Sequence, residues 1–578
     1  WEPVPIDVTA MLVLVLLAIL GPWTTVTPEQ AVSGFSNPAT LTVLAMLVLS
    51  EGVRRTGFVQ SLAAKLSRLV GRSPRKHLAA TLVAGGPISG FMNNTPVVAL
   101  LTPVIDDMGH KGGVSPSHLL MPLSYVSMLG GMLTVIGTST NLLAADLSER
   151  LIGRGIGMFE FAHLGVIVLL VGALYLYFAS PKLLPARVEP HGDYVAEFAL
   201  EPYLSQVYVP DDSPLVGKTV ADWLDGTELQ FEVLTLIRDD CIIEHPYADR
   251  AIEPGDVLLV HAEPHWLEGL DRIEGIQPAE KDARADVVSV GGGRISGLAE
   301  IIVPSGSRLE GDRVDEAGFP EHFDTYVLAI RRGPTIYRDR LGERRLEEGD
   351  NLLVQTTARG TERMRRSRDI LVVGPHEDDD FRREKMPVAL GIVAAVVLVA
   401  AFEILPIMIS ALAGVVAMMV AGVVRPFEAY RSIDWRVIFL LAGIIPLGIG
   451  LEQTGAAGMI GEWLAGVSRY LPAIVVLWLF YMATGFVTEV ISNNASVLLM
   501  IPIAVETAHY IDANPFAFVL ALTFAASTAF MGPVGYQTNL FVYGPGGYHV
   551  GDFARLGFFL RLLLSVVTVG GIVLFWGL

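Results

Sequence analysis

Apolar positions along the chain gather in long blocks. Runs such as Val8–Leu20, Thr40–Leu49, Leu164–Phe178, Val388–Phe402 and Leu562–Trp576 are apolar and nearly free of charge. A helix crosses a bilayer core of about 30 Å with roughly 20 such residues. The blocks therefore predict membrane helices in two groups, residues 1–184 and 386–578, separated by a polar stretch of about 185–385. That stretch is too long and too periodic to be a loop, and predicts globular structure inserted between the membrane halves.

The two membrane groups repeat each other at an offset of 398 to 399 residues. Thr56-Gly57 returns as Thr454-Gly455, and Asn94 and Pro103 return as Asn493 and Pro502. Gly137-Thr138-Ser139-Thr140-Asn141-Leu142 returns as Gly535-Tyr536-Gln537-Thr538-Asn539-Leu540. Carriers are commonly built from inverted repeats, with substrate held mid-membrane where paired apolar segments are broken. Here the breaks come in pairs. Gly85 to Pro96 interrupts an apolar stretch of about 78–108, and Thr484 to Asn494 interrupts its counterpart of about 471–508. Each predicts a re-entrant helical hairpin. Gly137–Asn141 and Gly532–Asn539 predict helices unwound halfway. The helix expected over about 387–404 has no partner in the first half; that partner would lie before Trp1, so a further native N-terminal helix is expected there.

The polar stretch is a tandem repeat of its own, with a spacing of 94 residues. Ser213, Leu215, Gly217 and Val220 match Ser307, Leu309, Gly311 and Val314; Gly255-Asp256 matches Gly349-Asp350. Each copy reads as short β-branched strands with an acidic turn before the last. The two units, about 200–270 and 294–374, resemble the C-terminal ligand-binding domains of potassium-uptake regulators (TrkA-C, or RCK C-terminal, type). That resemblance implies small α+β domains and an unidentified small ligand. Gly291-Gly292-Gly293 departs from a dinucleotide loop and reads as a linker. His245, His261 and His265 are irregularly spaced and read as surface histidines.

Composition agrees with a membrane protein: of 578 residues 52% are hydrophobic, and the mean hydropathy is +0.50. The net charge of −19 is concentrated in the insert, and nothing points to nucleic acid. The single cysteine, Cys241, excludes an intrachain disulfide and suits reducing cytosol. With hairpins drawn as above, loops 54–77, 109–117, 425–436 and 546–556 carry 12 Lys and Arg, against Arg150, Arg154 and Arg469 opposite. The positive-inside rule makes the first side cytoplasmic. The insert shares that side, and the expected location is the inner (plasma) membrane.

The breaks hold an inventory suited to an anion and a hard cation. They offer Asn93, Asn94 and Thr95; Thr138, Ser139, Thr140 and Asn141; Thr488, Ser492, Asn493 and Asn494; Thr538 and Asn539. Helix N-termini supply N–H groups and partial positive charge, and no Lys or Arg falls in any break. Co-bound cations would then balance the anion, a physical reason for sodium coupling. Glu489 reads either as tuning a cation site or as a carboxylate bonded to hairpin backbone. Glu51, Asp106 and Asp107 are placed near interfaces. No nucleophile, metal or phosphate-loop constellation supports an enzyme.

Thr488-Glu489-Val490-Ile491-Ser492-Asn493-Asn494-Ala495 resembles the T-E-V-x-S-N-T signature of the divalent anion/sodium symporters (solute carrier family 13), and the likeness spans 38–183 and 387–578. With the inserted domains, the chain is most similar to sulfate-type permeases. The resemblance implies a homodimeric elevator carrier in the lipid bilayer. It implies one sodium site on Asn93, Asn94, Gly137 and Thr138, and another on Thr488, Ser492, Asn493, Val534 and Gly535. Substrate would lie near Asn94, Thr95, Thr140, Asn141, Asn493, Asn494, Thr538 and Asn539. The first tip reads Asn93-Asn94-Thr95 and the second ends in Asn494, so one hydroxyl of the dicarboxylate pattern is missing. That favours a compact tetrahedral oxyanion such as sulfate. A C4-dicarboxylate or other organic anion, and a sodium/proton antiporter or ligand-gated ion pathway, remain as alternatives.

Overall fold

The computed structural model describes residues 6–578 except 60, 63–64, 66–69, 72, 189–199, 201–202, 226–230, 239–240, 244–249, 263–274, 279–297, 305–306, 334, 368, 374–380 and 469–470. The membrane part is helical. The first half holds α1 (Ile6–Ile19), α2 (Pro38–Arg55), α3 (Pro74–Ser89), α4 (Asn94–Gly112), α5 (Leu120–Gly131), α6 (Ser139–Ile152) and α7 (Ala162–Leu183). The second holds α8 (Met386–Ala401), α9 (Ile407–Val420), α10 (Trp435–Gln453), α11 (Ala456–Ser468), α12 (Ala473–Val490), α13 (Asn493–Tyr510), α14 (Pro515–Ala526), α15 (Gln537–Tyr543) and α16 (Val550–Trp576). Among the described residues, six helical segments are long and apolar enough to cross a bilayer: Pro28–Arg55, Ala162–Leu183, Arg383–Ala401, Trp435–Gln453, Ala473–Val490 and Val550–Trp576.

Capping residues decide where these helices begin. Asn37 and Asn514 are extended N-caps whose side chains accept from Ala39 N and Phe516 N, each followed by a proline that needs no N–H partner. The halves interlock: α1 packs on α10, and α9 packs on α2. Small residues permit the approach. A methyl on Gly443 would lie 2.5 Å from Ala10 O, so the α1–α10 contact requires a residue without a side chain.

The insert contains two five-stranded antiparallel sheets. The first comprises β1 (Leu204–Tyr208), β2 (Phe231–Arg238), β3 (Cys241–Ile243), β4 (Val257–Ala262) and β5 (Gln277–Pro278), ordered β3-β2-β4-β1-β5. The second comprises β6 (Leu298–Ile302), β7 (Thr325–Arg332), β8 (Thr335–Tyr337), β9 (Asn351–Thr356) and β10 (Leu371–Val373), ordered β10-β6-β9-β7-β8. The orders are equivalent. Register matches too: Leu204 faces His261 as Leu298 faces Gln355, both 94 residues on. Gly255 and Gly349 both hold the turn before the last long strand at positive φ, 86° and 82°. Only glycine adopts that backbone without strain. The 291–293 linker, His245 and His265 lie outside the described residues.

His261 corrects the sequence reading. It is buried, not on the surface. The two sheets pack together through Leu200, Leu259, Leu328, Ala329 and Leu353. His261 sits beside that contact, its ring stacked on Tyr203 at 6.3 Å between centroids. Loss of water pushes its pKa down from 6.5 to about 4. A histidine depressed on folding contributes stability fully above its unfolded value and loses it as pH falls toward the folded one. Hydrogen-exchange protection of β4, corrected for intrinsic rates, is therefore expected to fall between pH 6.5 and 4 in the wild type. The same drop in His261→Leu would remove His261 as its cause.

Candidate functional site

Each predicted hairpin is two helices joined by a short non-helical tip. Between α3 and α4 the tip is Gly90–Asn93, and Asn93 Oδ1 accepts from Thr95 N at 3.3 Å. Between α12 and α13 the tip is Ile491–Ser492, both extended, and Ser492 Oγ accepts from Ala495 N at 3.3 Å. A polar N-cap thus starts the second helix of each pair, as Asn and Ser prefer. The unwound segments are Met132–Thr138 before α6 and Ser527–Tyr536 before α15. Their last residues, Thr138 and Tyr536, share one extended conformation, with φ near −148° and −149°.

Side chains of Asn141 and Asn539 hold these segments open. Asn141 Nδ2 donates to Gly131 O (2.9 Å) and Thr134 O (2.8 Å). Asn539 Nδ2 donates to Ala529 O (2.9 Å) and Gly532 O (3.0 Å). Both amides therefore spend their donors on carbonyls that the missing helical turn leaves unpaired. Ser124 Oγ joins the second set, donating to Thr538 Oγ1 (2.8 Å) or Asn539 Oδ1 (2.7 Å). Gly137 is required by space, because a methyl there would collide with Gly131 O.

The tips meet the unwound segments crosswise. Asn94 Nδ2 donates to Tyr536 Oη (3.1 Å), and Thr95 Oγ1 donates to Gln537 Oε1 (3.2 Å). Conversely, Ser139 Oγ (3.1 Å) and Thr140 Oγ1 (3.3 Å) donate to Asn494 Oδ1. The tip of each half is bonded to the break of the other. Of the predicted residues, Asn94, Thr95, Thr140 and Asn494 make bonds between the halves, while Thr538 and Asn539 are bonded to Ser124. Asn493 is tied within its own half: its Oδ1 accepts from Thr488 Oγ1 at 2.7 Å. Gly535 packs near Glu489, whereas Val534 is 71% exposed.

Asn94 Oδ1 is buried and accepts no hydrogen bond among the described residues. An unmatched buried oxygen costs about 1–3 kcal/mol, and it is the hard ligand type that sodium takes. Asn93, Gly137 and Thr138 flank the same tip and break. Around the second tip, Thr488 and Asn493 are buried and Ser492 is half-buried.

Three residues here were given no role by the sequence. Tyr536 and Gln537 are the partners of the first tip. Arg561, on α16, is fully buried and pairs with Glu489. Arg561 Nη2 also donates to Thr528 O at 2.6 Å, and Glu489 Oε1 accepts from Met531 N at 2.8 Å. Guanidinium and carboxylate together tie the end of α12, the unwound stretch and α16. Arg561, the second arginine of a 27-residue helix and the one set among Phe559, Leu560, Leu562 and Leu563, was the available signal.

Apolar spanning helices around a buried network of helix breaks define a membrane transporter, not an enzyme. The model of the citrate transporter family (CitMHS) matches residues 1–524, and the chain belongs to that family. The transporter sll0640 of Synechocystis sp. is 41% identical over 100% of this chain and 94% of its own length. Sodium/sulfate cotransporter 2 of Chlamydomonas reinhardtii is 22% identical over 94% of this chain and 84% of its own. The sodium-dependent dicarboxylate transporter SdcS of Staphylococcus saprophyticus is 30% identical over 25% of this chain and 27% of its own.

Proposed function

We propose that the chain is a sodium-coupled symporter of a small divalent anion, most simply sulfate. The observation that carries this reading is the crosswise network, in which Asn94, Thr95, Ser139, Thr140, Asn494 and Gln537 bring amides and hydroxyls from both halves together. The N-termini of α4, α6 and α13 open at these residues, so N–H groups and partial positive charge favour an anion there. Arg561 is already paired with Glu489, leaving the anion's charge to dipoles and bound cations. Sodium on Asn93, Asn94, Gly137 and Thr138, and on Thr488, Ser492, Asn493, Val534 and Gly535, supplies that balance. The halves are read as inverted repeats with re-entrant hairpins, moving as an elevator within a homodimer in the inner membrane. The insert is read as two cytoplasmic TrkA-C-type domains that regulate transport.

A C4-dicarboxylate or other organic anion is the second reading, the first favoured by the likeness to SdcS and the second by the citrate transporter family itself. An antiporter reading is weakened because Glu489, the carboxylate of the breaks, is held by Arg561. Competition in proteoliposomes separates the anions. Under an inward sodium gradient, unlabelled sulfate is expected to suppress labelled sulfate uptake while succinate leaves it unchanged. Replacing sodium by choline is expected to stop uptake. Uptake of succinate alone would overturn the sulfate assignment.

A further inference from the structure

The second insert sheet touches the membrane helices at two separate places. At the first, its turn before β9 meets α15 backbone to backbone: a methyl on Gly544 would lie 2.7 Å from Gly349 O and 3.1 Å from Asn351 Cβ, and one on Gly349 would lie 3.2 Å from Leu540 O. The β7–β8 turn at Gly333 abuts the Tyr543 ring, and β10 packs on α4. α15 is only seven residues, Gln537–Tyr543, about 10 Å at 1.5 Å per residue. Its first turn carries Gln537, Thr538 and Asn539; its last turn carries the contact with the insert. At the second place, Arg436 Nη1 lies 3.6 Å from Glu310 Oε2. Arg436 is the second residue of α10, a helix that packs on α1 and α13 and takes no part in the crosswise bonds of the tips.

A stiff stretch joins the two contacts. Gly311 N donates to Leu346 O and Leu346 N donates to Asp312 O, both at 2.9 Å, so the turn that carries Glu310 is bonded to the segment leading into 347–350. Arg332 holds the 347–350 turn in place. Its Nε and Nη2 donate to the two oxygens of Asp350, each at 2.7 Å, Nη2 also donates to Arg345 O at 2.9 Å, and Nη1 pairs with Glu347. The first sheet repeats this lock 94 residues earlier: Arg238 binds Asp256, Glu253 and Ala251 O. The lock therefore belongs to the fold of both copies. What differs is the face turned to the carrier. Glu310, Gly333 and Asn351 stand where the first copy has Val216, Asp239 and Val257. A methyl on Gly255, the counterpart of Gly349, would meet nothing within 4 Å. Three of the residues that touch the carrier are thus particular to the second copy.

We infer that the second insert unit is a brace between α15 and α10 that slows transport, and that opening the Arg436–Glu310 pair releases it. This rests on the transport reading given above: a carrier exposes its site to the two sides in turn by moving it past the surrounding helices, and a stiff unit attached on both sides resists that movement. The ion pair is the weak end of the brace. The side chains of Arg436 and Glu310 are 43% and 37% exposed, and an exposed pair contributes little and is screened by salt. The brace therefore yields to ionic strength on the insert side.

Charge reversal in the full-length protein tests the brace. In proteoliposomes, Arg436→Glu and Glu310→Arg are each expected to raise the initial rate of labelled sulfate uptake about two- to five-fold, the range that an exposed ion pair spans. The double reversal restores the pair and is expected to return the wild-type rate. If a reversed variant fails to fold, Arg436→Gln/Glu310→Gln, which removes the pair without like-charge contact, is expected to give the same rise. Added choline chloride on the insert side, at fixed sodium and balanced osmolarity, is expected to speed the wild type and the double reversal but neither single variant. Amide hydrogen exchange of α15, read by mass spectrometry in nanodiscs, reports on the brace without reference to transport. It is expected to rise in both single variants and to fall back in the double reversal. Exchange that is the same in the wild type and the single variants overturns the brace. Faster exchange without faster uptake by an otherwise active carrier overturns its slowing role, as do single-variant gains that the double reversal keeps. Absence of any sulfate uptake would count against the symport reading, and the exchange result would then decide the brace by itself.

Discussion

Arg561→Ala is expected to abolish uptake and to lower the melting temperature of the detergent-solubilised protein. The guanidinium is fully buried and joins Glu489, Thr528 O and the Met531 side chain, whose Sδ lies 3.3 Å from Nη1. Removing one partner of a buried pair costs about 3–5 kcal/mol, because the other charge is left without compensation. Here that charge is Glu489, whose Oε1 also receives Met531 N, so the damage falls on the segment that leads into Tyr536 and Gln537. Arg561→Met combined with Glu489→Gln removes both charges and is expected to recover most of the lost melting temperature without restoring uptake. Fluorescence-detected size-exclusion chromatography after heating, with sulfate flux measured in parallel, reads both. A fully active Arg561→Ala carrier would show that the pair has no role in shaping the break.

Asn94→Ala is expected to reduce apparent sodium affinity by about 10- to 100-fold while the protein still inserts. The estimate follows from a hydrogen bond or ligand to a charge being worth about 1.5–3 kcal/mol. The substitution removes the buried Oδ1 and the donor to Tyr536 together. Asn493→Ala is expected to act similarly, since it deletes the acceptor of Thr488 Oγ1 at the second tip. Tyr536→Phe loses only the hydroxyl at the first tip and is expected to cost less than Asn94→Ala. Sodium titration of labelled uptake checks all three; normal affinity in both asparagine variants would remove them from the cation sites.

Most of the architecture was legible because a bilayer simplifies the code. Runs such as Leu164–Phe178 are helices since backbone groups in lipid must pair internally. The breaks were legible because Asn, Pro and Gly clusters interrupt such runs at a fixed offset. The structure starts α4 at Asn94 and α13 at Asn493, where the repeat put them. What the chain concealed was partnering across the halves. Nothing local marks Tyr536 as the partner of Asn94, because it stands where the first half has Thr138, and so reads as a mismatch in the repeat. Arg561 was hidden differently, as one charge in an apolar stretch whose partner lies 72 residues away. His261 was misread because its strand is covered on both faces. A strand buried twice loses the polar alternation from which exposure is inferred.

The crosswise bonds of the tips carry a consequence for the molecule's vulnerability. Neither half satisfies its own tip, because Asn94 and Thr95 reach Tyr536 and Gln537, just as Asn494 receives Ser139 and Thr140. Injury therefore spreads: a lesion in either half is expected to loosen a tip housed in the other.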